Sequence, residues 1–420
     1  MAQPILIIGA GISGLTAAQA LRKEGIPCRI FERDQSPFAR AAGWGLTLNW
    51  ALPAFRSLLP EDILLRLPET YVNADAVRAD QKGNFTFYDL STGEAKWKVP
   101  AGERIRVSRE RLRNLLLTGL NVEWDKNVGG VTKKSSGVTI SFFDGTSATG
   151  SFLIACDGAH SLVRRLVYPN KHENFQLPMR FLGAGVDYPE SQVRALRRLD
   201  PYFMQGADPR TDAYLWFSFL ETPGDPGCPE NDAHGESMYH CQVMVSWPYR
   251  AGFFGLADPS GIPNTTASQL SWMQAVSSMW AEPFRSVVQN IPTGSQVKAV
   301  ELSDWVPQRN TDEVFDGRVV LLGDAMHAMV VYRGEGANHA IMDVSVLLDV
   351  LKPLFTGRVD LQVGKVDKAF RDAVDRYENE VVARTETAVL ASRQACLDAH
   401  NFERINDDSP LIRKRIMRAD

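Results

Sequence analysis

The chain opens on an unbroken apolar run, Ile5-Leu6-Ile7-Ile8, the pattern of a strand covered on both faces. A glycine-rich turn follows. Leu15, Ala18 and Leu21 then recur at helical spacing until Gly25-Ile26-Pro27 stops the helix. Cys28-Arg29-Ile30-Phe31 reads as a second strand ending at Glu32-Arg33, so strand, helix and strand occupy about thirty residues. The middle of the chain differs. Between Tyr71 and Val99, short alternating segments such as Asn84-Phe85-Thr86-Phe87-Tyr88 are separated by turn residues, as in hairpins. Ser108 to Leu117 is predicted to be a helix with Ser108 as its N-cap. Val138 to Phe143 reads as a strand closed by the turn Asp144-Gly145, and Ser151 to Cys156 as a buried strand ending at Asp157-Gly158. Further strands are expected at Arg180 to Val186, Ala213 to Leu220 and Met238 to Trp247, with a Pro/Gly-rich loop from Thr222 to Gly235. From Val319 an apolar strand runs into Gly323. Ala340, Ile341, Val344, Leu347, Leu348 and Leu351 then mark a helix.

This order predicts an α/β fold with an α+β insertion. A discontinuous Rossmann-like domain draws on both ends of the chain, residues 1–70, 100–178 and 300–420, and finishes in C-terminal helices. Residues 71–99 and 179–299 supply an inserted β-sheet domain that binds substrate. A chain of 420 residues, 44% hydrophobic, sustains two such cores. The net charge of −4 carries no polybasic segment, which excludes the usual nucleic-acid partners. The five cysteines (Cys28, Cys156, Cys228, Cys241, Cys396) form no Cys-x-x-Cys pair, and no His/Asp/Glu set has metal-ligand spacing. A disulfide framework and a metal site are therefore not expected, and a reducing compartment fits. The first apolar run belongs to the fold rather than to a leader, and no apolar segment reaches membrane-spanning length. The expectation is a cytoplasmic protein with no stable membrane insertion.

Two glycine-bearing segments carry the chemistry. Gly9-Ala10-Gly11-Ile12-Ser13-Gly14 follows a strand and opens a helix, the context in which this spacing binds a dinucleotide. Gly9 permits the tight turn, Gly11 the approach of a pyrophosphate, and Gly14 close helix packing, with the phosphates at the helix N-terminus. Glu32, eighteen residues after Gly14, is placed to accept hydrogen bonds from a ribose diol, and its charge disfavours a 2′-phosphate. Alone, this turn is compatible with NAD, NADP or FAD. About three hundred residues later, Gly323-Asp324-Ala325-Met326-His327 ends another strand, and Arg333-Gly334-Glu335-Gly336-Ala337-Asn338 precedes another helix. Gly323 lets backbone approach a ligand, Asp324 is free to bond a ribityl hydroxyl, and Gly334 and Gly336 lead into free N–H groups that favour an anionic flavin edge. Two nucleotide-contacting segments at opposite ends of the chain imply one long cofactor, FAD. Without the first segment, the second reads equally well as an ordinary strand-turn-helix connection.

Together these residues resemble the group A flavoprotein monooxygenases, the family of p-hydroxybenzoate and salicylate hydroxylases. The resemblance rests on Gly9-x-Gly11-x-x-Gly14, on Asp157-Gly158 with the trailing Ala159-His160-Ser161-Leu162-Val163-Arg164, and on Gly323-Asp324-Ala325-x-His327. The wording from Arg333 to Ala340 is most similar to fungal secondary-metabolite members. The resemblance implies roles at matching positions. Glu32 holds the adenosine ribose with Arg33 beside the adenine end. Gly45, within Gly43-Trp44-Gly45-Leu46, passes the flavin, and Arg109 reaches the diphosphate region. Asp157 serves FAD and NAD(P)H, Asp324 binds the ribityl chain, and Ala337 and Asn338 meet the isoalloxazine edge. It also implies NAD(P)H as reductant and O2 as co-substrate, with one oxygen atom inserted through a flavin C4a-hydroperoxide by hydroxylation, epoxidation or Baeyer–Villiger reaction. No second nicotinamide-binding domain is expected. Gly183-Ala184-Gly185 lies inside a predicted strand and reads as close strand packing. One position departs from the family: Val331 stands where a proline near the flavin is usual.

The substrate, a bulky aromatic or otherwise apolar small molecule, is expected between the inserted sheet and the flavin. Tyr202, Tyr214, Trp216, Phe217 and Tyr239 are candidate lining residues. By alternation Tyr214, Trp216 and Ser218 share one strand face, and Leu215, Phe217 and Phe219 the other. Arg180 and Tyr214 are the candidate catalytic pair, the arginine stabilising a phenolate and the tyrosine relaying its proton. The bland alternative is a strand-end charge and a core tyrosine. His327 reads as structural. The basic stretch Leu411-Ile412-Arg413-Lys414-Arg415-Ile416 reads as a solvated terminal helix. A flavin dehydrogenase without oxygen transfer and a non-catalytic FAD-binding protein are the rival readings, while the halogenase signature Trp-x-Trp-x-Ile-Pro is missing.

Overall fold

A computed structural model describes residues 3–39, 44–99, 102–135, 137–309, 314–356 and 366–415. Its nucleotide-side sheet has the order Val319–Leu321, Phe152–Ala155, Ile5–Ile8, Cys28–Phe31, Val122–Glu123, and every neighbouring pair is parallel. Ile5–Ile8 is the central strand and no residue in it is more than 5% exposed, which is why it reads as a continuous apolar run. The late strand joins through Leu153↔Val319, and the helices Ile12–Lys23 and Gly336–Phe355 pack together, so both ends of the chain build this layer. A small ribbon, Gly45–Leu48 paired with Ile105–Ser108, links it to the second layer.

That layer is a seven-stranded sheet ordered Val297–Ala299, Met179–Pro189, Met238–Pro248, Tyr214–Glu221, Phe203–Ala207, Phe85–Asp89, Ala95–Val99. Only the pairing of Phe203–Ala207 with Phe85–Asp89 is parallel. Its two faces differ in chemistry. Leu182, Leu215, Phe217, Val243, Val245 and Trp247 form a dry core with helices Glu190–Leu199, Thr266–Ser277 and Phe284–Gln289. Strand alternation does not announce these helices: Thr266–Ser277 carries apolar residues on little more than one stripe, and it is held by that core. The opposite face carries Phe181, Tyr214 and Met244, which pack against Tyr332 and the end of the long helix Val366–Ala399.

The terminal stretch corrects the sequence reading. Residues 411–415 form no helix, and Leu411 and Ile412 are 0% and 6% exposed within the cluster that contains Tyr214 and Tyr332. The interleaved apolar residues are buried as a folded-back tail. Ile416 lies outside the described residues. Among the described residues no helix is long and apolar enough to cross a membrane.

Candidate active site

The first glycine turn is set by steric limits. Gly9 has φ +98°, and a Cβ there would stand 2.3 Å from the Cys156 carbonyl oxygen. A Cβ on Gly14 would stand 2.0 Å from the Gly9 oxygen. Gly11 is different: nothing lies within 4 Å of its Cβ position, so the open side of the turn faces away from protein atoms. The first helical bond runs from Leu15 N–H to Gly11 O, leaving the preceding N–H groups without an acceptor in the helix. Glu32 is buried at the end of the second strand, where its carboxylate accepts from the N–H of Ala10 at 2.7 Å and of Asp34 at 3.1 Å. Arg33 beside it is exposed. Arg113, which sequence reasoning missed, donates to the carbonyls of Ala10 at 2.9 Å and Pro37 at 2.7 Å and braces the turn from below.

The late motif packs directly on this helix. Gly323 has φ +65°, and a Cβ there would lie 3.0 Å from Ser13 Oγ. Its N–H donates to Asp343 Oδ2 at 3.0 Å, the same oxygen that meets His327 Nε2 at 2.6 Å. Arg384 completes the cluster at 2.6 Å from Asp343 Oδ1. Burial opposes the Asp343 charge, but His327 and Arg384 overcome it and hold the carboxyl below the usual range. His327 thus has a structural partner set, as the sequence reading expects. Asp324 is exposed, yet desolvation pushes its carboxyl upward against the pull of His327, Arg109 and Arg164. A carboxyl that is both accessible and dehydrated stands on the floor of a deep cleft.

Arg109 opens the helix Arg109–Leu116, and its N–H donates to the Trp44 carbonyl at 3.3 Å. Asp157 accepts from Ser161 Oγ at 2.6 Å and Val163 N–H at 3.2 Å, which anchors the Asp157-Gly158 turn. From that turn Arg164 reaches the carbonyls of Ala159, Asp324 and Ala325, tying the two motifs together.

At the start of Gly336–Phe355, the first intrahelical bond is His339 N–H to Glu335 O, so the N–H groups of Gly336, Ala337 and Asn338 have no acceptor inside the helix. Gly334 is exposed and Ala337 half-buried beside them. Asn338 is fully buried. Its amide donates to Thr47 O and accepts from Asn49 N–H, both at 3.0 Å, fixing the ribbon strand against the helix. Gly45 on that strand has a specific reason to lack a side chain, since a Cβ would meet the Arg106 guanidinium at 2.4 Å. Gly43 lies outside the described residues. Val331 begins a 3₁₀ turn, Val331–Arg333, where an N–H has no helical acceptor and proline is normally tolerated. Valine there keeps the turn.

Paired residues on adjacent strands share a face, and this separates the predicted catalytic pair. Tyr214 and Phe181 both pair with Ser246, whereas Arg180 pairs with Trp247 on the dry side. Arg180 lies over the Tyr249 ring at 3.7 Å and donates to Met179 O. The structure does not bring Arg180 and Tyr214 together. Phe217 and Tyr239 also lie in the dry core, while Trp216 shares the Tyr214 side and Tyr202 packs with Phe203. The arginine that does reach the Tyr214 face is Arg106, which donates to Thr47 Oγ1 at 3.1 Å and Ser218 Oγ at 2.9 Å. Tyr214 Oη donates to Gln205 Oε1 at 2.8 Å, and Ser246 Oγ lies 2.9 Å from both Tyr332 Oη and His400 Nε2. Gly183 admits the Trp44 ring, because a Cβ there would stand 2.7 Å from it. Close packing therefore accounts for Gly183, and it sets this face of the sheet against the ribbon.

The open approach at Gly11, the accessible Asp324 and two helix starts with unpaired N–H groups form a lining drawn from both ends of the chain. It fits a cofactor longer than the first turn alone could hold. The comparisons agree. The family model described as FAD binding domain matches residues 2–212 and 286–385. A probable FAD-dependent monooxygenase of Arthroderma benhamiae is 43% identical over 98% of this chain and 95% of its own length. The FAD-dependent monooxygenase tazP of Aspergillus terreus is 36% identical over 88% and 94%. In fold, the chain is similar to 2,6-dihydroxypyridine-3-hydroxylase from Arthrobacter nicotinovorans, with a TM-score of 0.73 at 20% identity, covering 98% of this chain and 96% of that one. FAD-bound HpxO of Klebsiella pneumoniae gives a TM-score of 0.70 at 20% identity, covering 96% and 91%. The cofactor is FAD, and the chain is an oxidoreductase that belongs to the FAD-dependent monooxygenases of the FAD binding domain family.

Proposed function

We propose that the protein uses NAD(P)H and O2 to insert one oxygen atom into a bulky planar aromatic secondary metabolite, with hydroxylation of a phenolic ring as the reaction its site fits best. The chemistry supplied by bound FAD is uptake of electrons from the nicotinamide donor and transfer of one oxygen atom from O2. On this reading Gly9, Gly11, Gly14 and Glu32 hold the adenosine and pyrophosphate half. Arg109, Asp157, Gly323 and Asp324 serve the middle, and Gly45, Gly334, Gly336, Ala337 and Asn338 frame the flavin ring.

The observation that carries the substrate reading is the contrast between the sheet's two faces. One is wholly apolar and sealed by helices. The other sets Arg106, Ser218, Gln205 and Tyr214 among aromatic rings on the side that meets Trp44. A guanidinium near a bound phenol favours its ionised form, and the phenolate directs electron density onto ring carbons, which favours electrophilic oxygen transfer. Burial holds the Tyr214 phenol protonated, so it can donate to a substrate oxygen. The surrounding apolar residues exclude water.

The test is NAD(P)H consumption stimulated by candidate phenols, with product mass raised by one oxygen. Flavin reduction without an oxygenated product would move the reading to a dehydrogenase. Glu32→Ala and Asp324→Ala should each lower flavin retention on purification, and full retention by both would overturn the placement of the cofactor.

A further inference from the structure

Three guanidinium groups converge on one aromatic cluster. Phe85, Phe203 and Trp216 pack with centroids 5.0 to 6.3 Å apart. Arg415, from the folded-back tail, lies over Phe85 at 3.7 Å. Arg104 lies over Phe203 at 5.3 Å, and Arg106 over Phe203 at 5.5 Å and Trp216 at 5.9 Å. Their hydrogen-bond partners among the described residues are all neutral. Arg104 donates to Lys82 O, Arg106 to the Thr47 and Ser218 hydroxyls, and Arg415 to the carbonyls of Arg333, Leu411 and Arg413.

Buried charges are ordinarily paired with opposite charge. The two carboxylates nearby are engaged elsewhere. Asp200 accepts from the N–H groups of Asn84, Tyr202 and Phe203, and Glu335 from Arg333 and Trp50. Two buried donors on the same side remain without any partner: Arg106 Nε, in a residue 6% exposed, and Gln205 Nε2, in one 1% exposed. Burial and a neighbouring guanidinium push Arg106 and Arg415 each down to about 9, the mark of positive charge awaiting a counter-charge.

We propose that the C-terminal tail completes the substrate site, and that Arg415 with Arg104 and Arg106 selects a planar aromatic anion stacked on Phe85, Phe203 and Trp216. The inference rests on the monooxygenase reading above and names its substrate class. Charge-assisted bonds from guanidinium to carboxylate or phenolate supply the selectivity, and the rings supply the stacking surface.

The test uses the FAD-loaded full chain and calorimetric titration with 2-naphthoate and with uncharged 2-naphthamide. The naphthoate should bind at least about tenfold more tightly. Arg415→Gln should abolish that preference while flavin content is unchanged, and Arg415→Lys should restore part of it. If Arg415→Gln does not accumulate as folded protein, Arg104→Gln carries the same expectation. Equal affinity for the two probes, no binding of either, or a preference that survives both glutamine variants would overturn the proposal. A protein that retains flavin and oxidises NAD(P)H with O2 yet shows no preference fails this inference alone. One that purifies without flavin fails the reading beneath it.

Discussion

The side-chain amide of Asn338 donates to the main-chain carbonyl of Thr47 at 3.0 Å, across 291 residues of sequence. With the reciprocal bond from Asn49 N–H, this amide pins the ribbon strand that carries Gly45 to the helix start that carries Gly336 and Ala337. Asn338→Ala removes both bonds and strands a main-chain donor and acceptor. The expected loss is about 2–3 kcal/mol of stability, with weaker flavin retention, read by chemical denaturation and by flavin content. Unchanged stability would mean that the ribbon is held from elsewhere.

Asp343 should be costlier. It is fully buried and serves Gly323, His327 and Arg384 together. Asp343→Asn leaves Arg384 with an uncompensated charge, at a cost of about 3–5 kcal/mol. Because the folded carboxyl lies below its ordinary range, its contribution is complete at neutral pH and fades on strong acidification. The variant should therefore unfold with a shallower dependence on acid than the parent, and matching acid profiles would exclude this role.

Gly11 and Gly14 separate cofactor binding from folding. An alanine Cβ at position 14 collides with the Gly9 carbonyl, whereas at position 11 it meets no protein atom. Gly14→Ala should lower stability by about 3 kcal/mol even without flavin. Gly11→Ala should leave the flavin-free melting temperature unchanged and weaken FAD by about tenfold or more. The reverse pattern would contradict the assignment of Gly11 to the ligand side.

Glu221 supplies a pH-dependent contact away from the flavin. It lies 2.5 Å from Arg111, yet burial outweighs that attraction and the nearby Ser108 and His240, aided by repulsion from Asp225, and raises the carboxyl to about 7 from 4.5. The protonated form is favoured in the fold. Its contribution is thus complete below 4.5 and is lost as pH rises through about 7. Glu221→Gln should flatten the decline in melting temperature between about pH 5 and pH 8. A decline as steep as the parent's would assign the titration to another group.

The cofactor half was legible because its signals are local. A glycine turn between strand and helix, an acidic strand end, and Ser108 accepting from Arg111 N–H as an N-cap all appear within short windows. The substrate side was not, because it depends on which strand face turns inward. Alternation grouped Tyr214 with Trp216 correctly, but it could not show that Arg180 belongs with Trp247 on the dry face. Arg106 sits between Ile105 and Val107, where a charged residue normally marks the solvent side of a strand. Only the large sheet packed over the ribbon turns it into a buried residue. The tail misled for a related reason: its apolar positions resemble a helix stripe, but they are fillers for a cluster assembled by other elements.

The pairing of Leu153 with Val319 also governs when the protein can acquire its flavin. During synthesis the glycine fingerprint emerges early, while the strand that precedes Asp324 and the helix start at Gly336 emerge late. A nascent chain can present only half of the cradle, so flavin capture must follow translation of the second half. Chains arrested before that point should be flavin-free, exposed along the edge of Phe152–Ala155, and prime targets for chaperones and proteases.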